Sequence, residues 1–105
     1  MQAVLADNRV VSGTGELTGL FRELEGADNL LKSSIENRIV SFGETAIDFL
    51  VDKLVASRGT QRGVAAMCLI RIGEASINAL RKLGAGNKSY AWIANYLIKE
   101  IECSL

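Results

Sequence analysis

Residues 39–50, IVSFGETAIDFL, return thirty positions later as residues 69–80, LIRIGEASINAL. The two strings agree in chemistry column by column: Ile39 with Leu69, Val40 with Ile70, Phe42 with Ile72, Gly43 with Gly73, Glu44 with Glu74, Ile47 with Ile77, Asp48 with Asn78 and Leu50 with Leu80. The same step backwards sets Gly43 on Gly13, Ile47 on Leu17, Leu50 on Leu20 and Leu54 on Leu24. A step of 28 forwards sets Ala65, Ala66, Leu69 and Ile70 on Ile93, Ala94, Leu97 and Ile98. Any two amphipathic helices share apolar spacing, but the coincident Gly-Glu pairs require a repeated unit. A unit of that length cannot bury its own apolar faces, so its copies must lie against one another in a row.

The chain has no proline, and most of its ten glycines separate segments whose apolar residues recur three and four apart, the helical period. The fold class read from this is all-α. Helices are expected over residues 16–25, with Leu17, Leu20, Phe21 and Leu24 in one stripe, and from an Asp28 cap to residue 42, with Leu31, Ile35, Ile39 and Phe42 inward. Others are expected over residues 44–56, through Ile47, Leu50, Val51 and Leu54, and from a Thr60 cap through Val64, Met67 or Cys68, Leu69 and Ile72. The last two are expected over residues 74–83 and 89–102, the latter aligning Ile93, Leu97 and Ile101. Residues 1–12 read as a tail or as a partial helix pairing with the first stripe, ahead of one domain over residues 13–105. At each Gly-Glu corner the glycine can take the left-handed conformation that ends one helix, and the glutamate faces the positive end of the next. Helices joined so closely should form antiparallel hairpins. The uniformly small column Ser33, Gly63 and Ala91 reads as a place where neighbouring backbones approach.

Composition bounds the chemistry. With 105 residues, 49% apolar and 23% charged, the chain supplies one globular domain. It has no histidine, which removes Ser-His and Cys-His dyads and imidazole metal sites. Cys68 and Cys103 belong to no CxxC pair and suggest neither zinc nor a disulfide framework. No catalytic, metal or cofactor-binding residue is therefore assigned. Twelve basic and twelve acidic residues cancel, so no global field recruits nucleic acid or an anionic membrane. No apolar run approaches a membrane span, and the N-terminal MQAVLADNRVV lacks the pattern of a signal peptide; a cytoplasmic location is expected.

Residues 60–83, TQRGVAAMCLIRIGEASINALRKL, resemble a HEAT-like (armadillo-like) repeat of the kind found in phycobilin lyases and many bacterial scaffold proteins. Arg62, Ala65 with Ala66, Leu69, Ile72 with Gly73, and Ala79 with Leu80 occupy the places of that pattern. Residues 31–54 follow it more loosely, with Ile35 and Glu36 where the alanines would stand and Lys32 for the arginine. The proline and aspartate usual between repeats are missing. The resemblance spans residues 13–102 and implies a short right-handed α-solenoid of about three stacked antiparallel hairpins. The function it implies is that of a non-enzymatic protein-interaction scaffold. The alternative it implies is an enzyme-associated or nucleic-acid-binding protein, like phycobilin lyases or alkylpurine glycosylases. The family's iron-dependent hydroxylases bind metal through His-Glu pairs, which this chain cannot form.

In such solenoids the second helix of each hairpin lines the concave face. The columns between the buried positions there are Thr18, Asp48 and Asn78 and, one turn on, Arg22, Asp52 and Lys82. These six form a polar ladder with two carboxylates in the middle. It either binds a peptide or partner helix or is a solvated face whose ion pairs contribute under about 1 kcal/mol. Residues 1–56 carry five basic and nine acidic residues, a net of −4, and residues 57–105 carry seven and three, a net of +4. Head-to-tail association follows as an expectation, so the partners considered are another protein and a second copy of the chain. Touching nucleic acid through Arg58, Arg62, Arg71, Arg81, Lys82 and Lys88 is the weaker reading. In the last helix, Tyr90 and Tyr96 are candidate interface residues, whereas Trp92 shares the column of Val64 and is expected to pack on the preceding repeat. Cys68 is expected to be a small, half-buried hydrophobe and Cys103 exposed. SGTG at residues 12–15 is too short for a phosphate loop and reads as a helix cap.

Overall fold

The computed structural model describes residues 15–105. The alternatives for residues 1–12, the echo at Gly13 and the cap at residues 12–14 lie outside the described residues. Those described are helical throughout, with no strand among them. In chain order the α-helices are α1 over residues 15–23, α2 Asn29–Val40, α3 Ile47–Ala56, α4 Gly59–Ile72, α5 Ile77–Gly86 and α6 Ala91–Ser104. Asp28 caps α2 as its chemistry suggests, its carboxylate accepting from the Leu31 amide at 2.8 Å.

The repeat is present in the backbone. Gly43 and Gly73 have φ of 61° and 89°, and each opens a four-residue 3₁₀ turn, Gly43–Ala46 and Gly73–Ser76, followed by a ten-residue α-helix. Burial repeats as well: Ala46, Ile47 and Leu50 are buried and so are Ser76, Ile77 and Leu80, while Glu44, Thr45 and Asp48 are exposed and so are Glu74, Ala75 and Asn78. The copies differ in polar detail: the buried Ser76 hydroxyl donates to the Leu69 carbonyl at 3.0 Å where the first copy has Ala46, and the Thr45 hydroxyl donates to the Phe42 carbonyl at 2.7 Å where the second has Ala75.

The helices form two layers. In one, α2, α4 and α6 lie side by side in that order; in the other, α3 lies beside α5 and α1 beside α3, with Phe21 edge-on to Phe49 at 5.3 Å. Their facing stripes meet in a single core that includes Phe21, Ile39, Leu50, Leu54, Leu69, Leu80, Leu97 and Ile101. Polar links tie the layers at equivalent places. Gln61 at the start of α4 donates to the Phe21 carbonyl in the last turn of α1, and the Tyr90 hydroxyl, just before α6, donates to the Val55 carbonyl in the last turn of α3, each at 3.1 Å. Both donate to helix-end carbonyls, where the regular intrahelical donors run out; the Phe21 carbonyl also accepts from the Leu24 amide at 3.2 Å. Within the first layer, Arg71 on α4 reaches Glu36 at 3.0 Å and Asn37 at 2.9 Å on α2.

Several local expectations are corrected. The helices that pack most extensively are α3 with α4, joined across Ser57-Arg58, and α5 with α6, not the pairs that meet at the Gly-Glu corners. Four-residue 3₁₀ turns separate the helices at those corners, whereas Ser57 and Arg58 alone join α3 to α4, and Asn87 with a three-residue 3₁₀ turn, Lys88–Tyr90, joins α5 to α6. Gly63 is exposed, with no atom within 4 Å of where a Cβ would stand, so the small column marks no backbone approach there; at Ala91 it does, since a Cβ added at Gly84 would stand 3.7 Å from the Ala91 Cα and 3.3 Å from the Ala94 methyl. Thr60 does not cap α4, which starts at Gly59 after an extended Arg58 without a side-chain cap. Leu31 is exposed, and of Met67 and Cys68 it is Cys68 that turns inward. The stretch Gly59–Gly86 is long and apolar enough to cross a bilayer as one helix. It is broken at Gly73, however, and the 14 residues of α4 extend about 21 Å, against the roughly 30 Å of a hydrocarbon core.

Candidate interaction surface

The second-layer helices place the ladder. Ile47, Leu50 and Leu54 on α3 and Ile77 and Leu80 on α5 point into the core, which leaves Asp48, Asp52, Asn78 and Lys82 exposed on the outer side. Because α3 and α5 lie alongside, these four line one open groove of about 510 Å³. Its floor includes Val51, Ala79 and Leu83, all half-buried, and Glu44 from the first corner joins the rim. The rim therefore carries three carboxylates and one ammonium around an apolar strip.

Thr18 and Arg22 do not line this groove. Thr18 is half-buried and Arg22 exposed on α1. The cation at the α1–α3 junction is Lys53, whose ammonium stands 5.8 Å from the Phe21 ring centroid and 5.4 Å from that of Phe49. Glu44 carries no rim signal in the sequence, where its place beside a helix start gives it a sufficient local role. Its exposure was legible only from the turn geometry.

The aromatic residues of the last helix divide. Tyr90 is half-buried, with its hydroxyl held by Val55 and its ring 5.8 Å from the Arg62 guanidinium carbon; it is a structural anchor rather than a free contact. Arg62 Nε is buried there without a hydrogen-bond partner. Tyr96 is 57% exposed, and Trp92, expected to pack inward, is 63% exposed. The inward place one residue on belongs to Ile93, which is buried.

Cys68 is fully buried rather than half-buried, its sulfur 4.0 Å from the Glu36 carbonyl. Burial, reinforced by the Glu36 carboxylate and opposed by Arg71, pushes its thiol pKa up to about 12. Cys103 is exposed. Among the described residues no three His, Cys, Asp or Glu side chains come together closely enough to hold a metal ion. The groove offers charge, hydrogen bonds and an apolar strip, the elements of recognition.

No family model matches the chain, and no curated protein or solved structure matches it significantly.

Proposed function

We propose that this chain is a short right-handed α-solenoid of HEAT-like helix pairs, working in the cytoplasm as a non-enzymatic module that binds another polypeptide in the α3–α5 groove. The two-layer order of helices, the duplicated Gly43 and Gly73 corners and the likeness of residues 60–83 to the HEAT-like pattern support the architecture. The observation that carries the function is the groove itself: an apolar strip of Val51, Ala79 and Leu83 lies between rows of charged and amide side chains. A merely solvated helix face needs no such strip, whereas interfaces combine an apolar centre with a polar rim. The nucleic-acid alternative draws less support, because three of its cations are engaged within the chain. Arg71 pairs with Glu36, Arg81 lies 3.6 Å from Glu102, and Arg62 stacks on Tyr90.

A photo-crosslinking benzophenone side chain placed at Asn78 tests the reading in the native cell. One discrete polypeptide adduct, identified by mass spectrometry, is expected; it should be absent with the label at exposed Thr45 and lost on Asp48→Lys with Asp52→Lys. Absence of any adduct from Asn78, or an adduct indifferent to the two lysines, contradicts it.

A further inference from the structure

Large apolar side chains that stand exposed on helices, among the described residues, are Leu30, Leu31, Met67, Trp92 and Tyr96; all belong to α2, α4 or α6. The two aromatic ones share α6. Trp92 and Tyr96 are one helical turn apart, and exposed Lys99 extends their stripe, across the helix from buried Ile93, Leu97 and Ile101. Exposed Lys88 precedes the stripe and Glu100 flanks it. An aromatic strip with lysines at both ends is the chemical complement of an apolar strip rimmed by Glu44, Asp48 and Asp52.

Charge over the whole chain has the same sense. The half that supplies the three carboxylates is net −4, and the half that supplies α6 is net +4. Pairing α6 with α6 would bring two basic halves together, and pairing groove with groove would oppose carboxylates. A head-to-tail contact avoids both.

We propose that the occupant of the α3–α5 groove is a second copy of this chain, which lays the Trp92–Tyr96 stripe of α6 along the Val51, Ala79 and Leu83 strip. Lys88 and Lys99 of that copy face the carboxylate rim, and its Glu100 faces Lys82. The inference rests on the groove being a protein-binding surface and adds the identity of what fills it. Each copy keeps one unused groove and one unused stripe, so the contact is heterologous and association propagates unless it closes into a ring. One helix face against a two-helix groove is at the small end of specific interfaces, so binding should be weak, concentration-dependent and salt-sensitive.

Sedimentation of the full chain over increasing concentration, at low and at physiological salt, tests this. The average mass should rise with concentration and fall with salt. Trp92→Glu with Tyr96→Glu removes the stripe, and Asp48→Lys with Asp52→Lys reverses the groove; each variant alone should sediment as a monomer with unchanged helicity by circular dichroism. Mixed in equal amounts, the two should form a one-to-one dimer and nothing larger, because the mixture holds one intact groove and one intact stripe per pair. A parent monomeric at every concentration, a variant that still self-associates, or a mixture that stays monomeric overturns the proposal. If self-association fails while the Asn78 crosslink captures a different polypeptide, the groove stands as a binding surface and only its occupant is wrong. If both fail, the groove reading falls too.

Discussion

Gly43 and Gly73 hold the same corner of the fold thirty residues apart, each with positive φ, each opening a 3₁₀ turn that leads into a ten-residue helix. No atom stands within 4 Å of a Cβ added at either position, so the demand for glycine is set by the backbone and not by space. These corners aim α3 and α5 side by side, and the groove exists because they do.

Substituting glycines by alanine should accordingly separate into opposite signs. Gly43→Ala and Gly73→Ala force a side chain into the left-handed half of φ and should each cost about 1–2 kcal/mol. Gly63 sits in the ordinary helical backbone of α4 with open space around it, so Gly63→Ala should stabilise by roughly 0.5–1 kcal/mol. At Gly84 the same helical gain is opposed by the Ala94 methyl at 3.3 Å, and little or no stabilisation should remain. Urea unfolding followed by far-UV circular dichroism measures all four.

The two thiols should behave differently. With its pKa raised to about 12, Cys68 is almost wholly protonated at pH 8 and shielded from reagent, while Cys103 is exposed. Titration with a thiol-disulfide dye at pH 8 should consume one equivalent in the native protein and a second only on unfolding. The raised value also has a stability consequence. An unfolded thiol ionises near pH 8.5 or so, so the folded state's preference for the neutral form is fully present below that and is lost as pH rises towards 12. Cys68→Ala should flatten that part of the stability profile.

Tyr90 and Tyr96 should respond oppositely to loss of the hydroxyl. Tyr90→Phe leaves the Val55 carbonyl without its donor and should destabilise by about 1 kcal/mol, whereas Tyr96→Phe should be silent in the same unfolding assay.

Nucleic acid should bind no better than to any weakly basic surface. Fluorescence anisotropy with duplex DNA at physiological salt should show no micromolar affinity; tight binding with a steep salt dependence would revive the alternative.

Helical periodicity carried much of the fold, since it depends on buried positions such as Ile47, Leu50, Ile77, Leu80, Ile93 and Leu97, which the layers hold in place. It cannot tell which apolar residue of a broadly apolar helix faces out, so Leu31 reads as inward and Met67 stays open, while Trp92 reads as inward only through its column with Val64. Column alignment brought Asp48, Asp52, Asn78 and Lys82 to one groove because two equal helices lie in parallel register. It carried Thr18 and Arg22 along with them, although position along a repeat does not decide whether a third helix shares the same groove. The corner's 3₁₀ geometry, which exposes Glu44 on the rim, follows from hydrogen bonds between neighbours and has no periodic signature.

Nuclear magnetic resonance of the isotope-labelled chain tests the stacked repeat at its source. Backbone shifts should end one helix and start the next at both Gly43 and Gly73, and methyl cross-peaks should connect Val51 on α3 with Ala79 and Leu83 on α5. Uninterrupted helical shifts from Gly59 to Gly86, or the absence of any α3–α5 cross-peak, would contradict it.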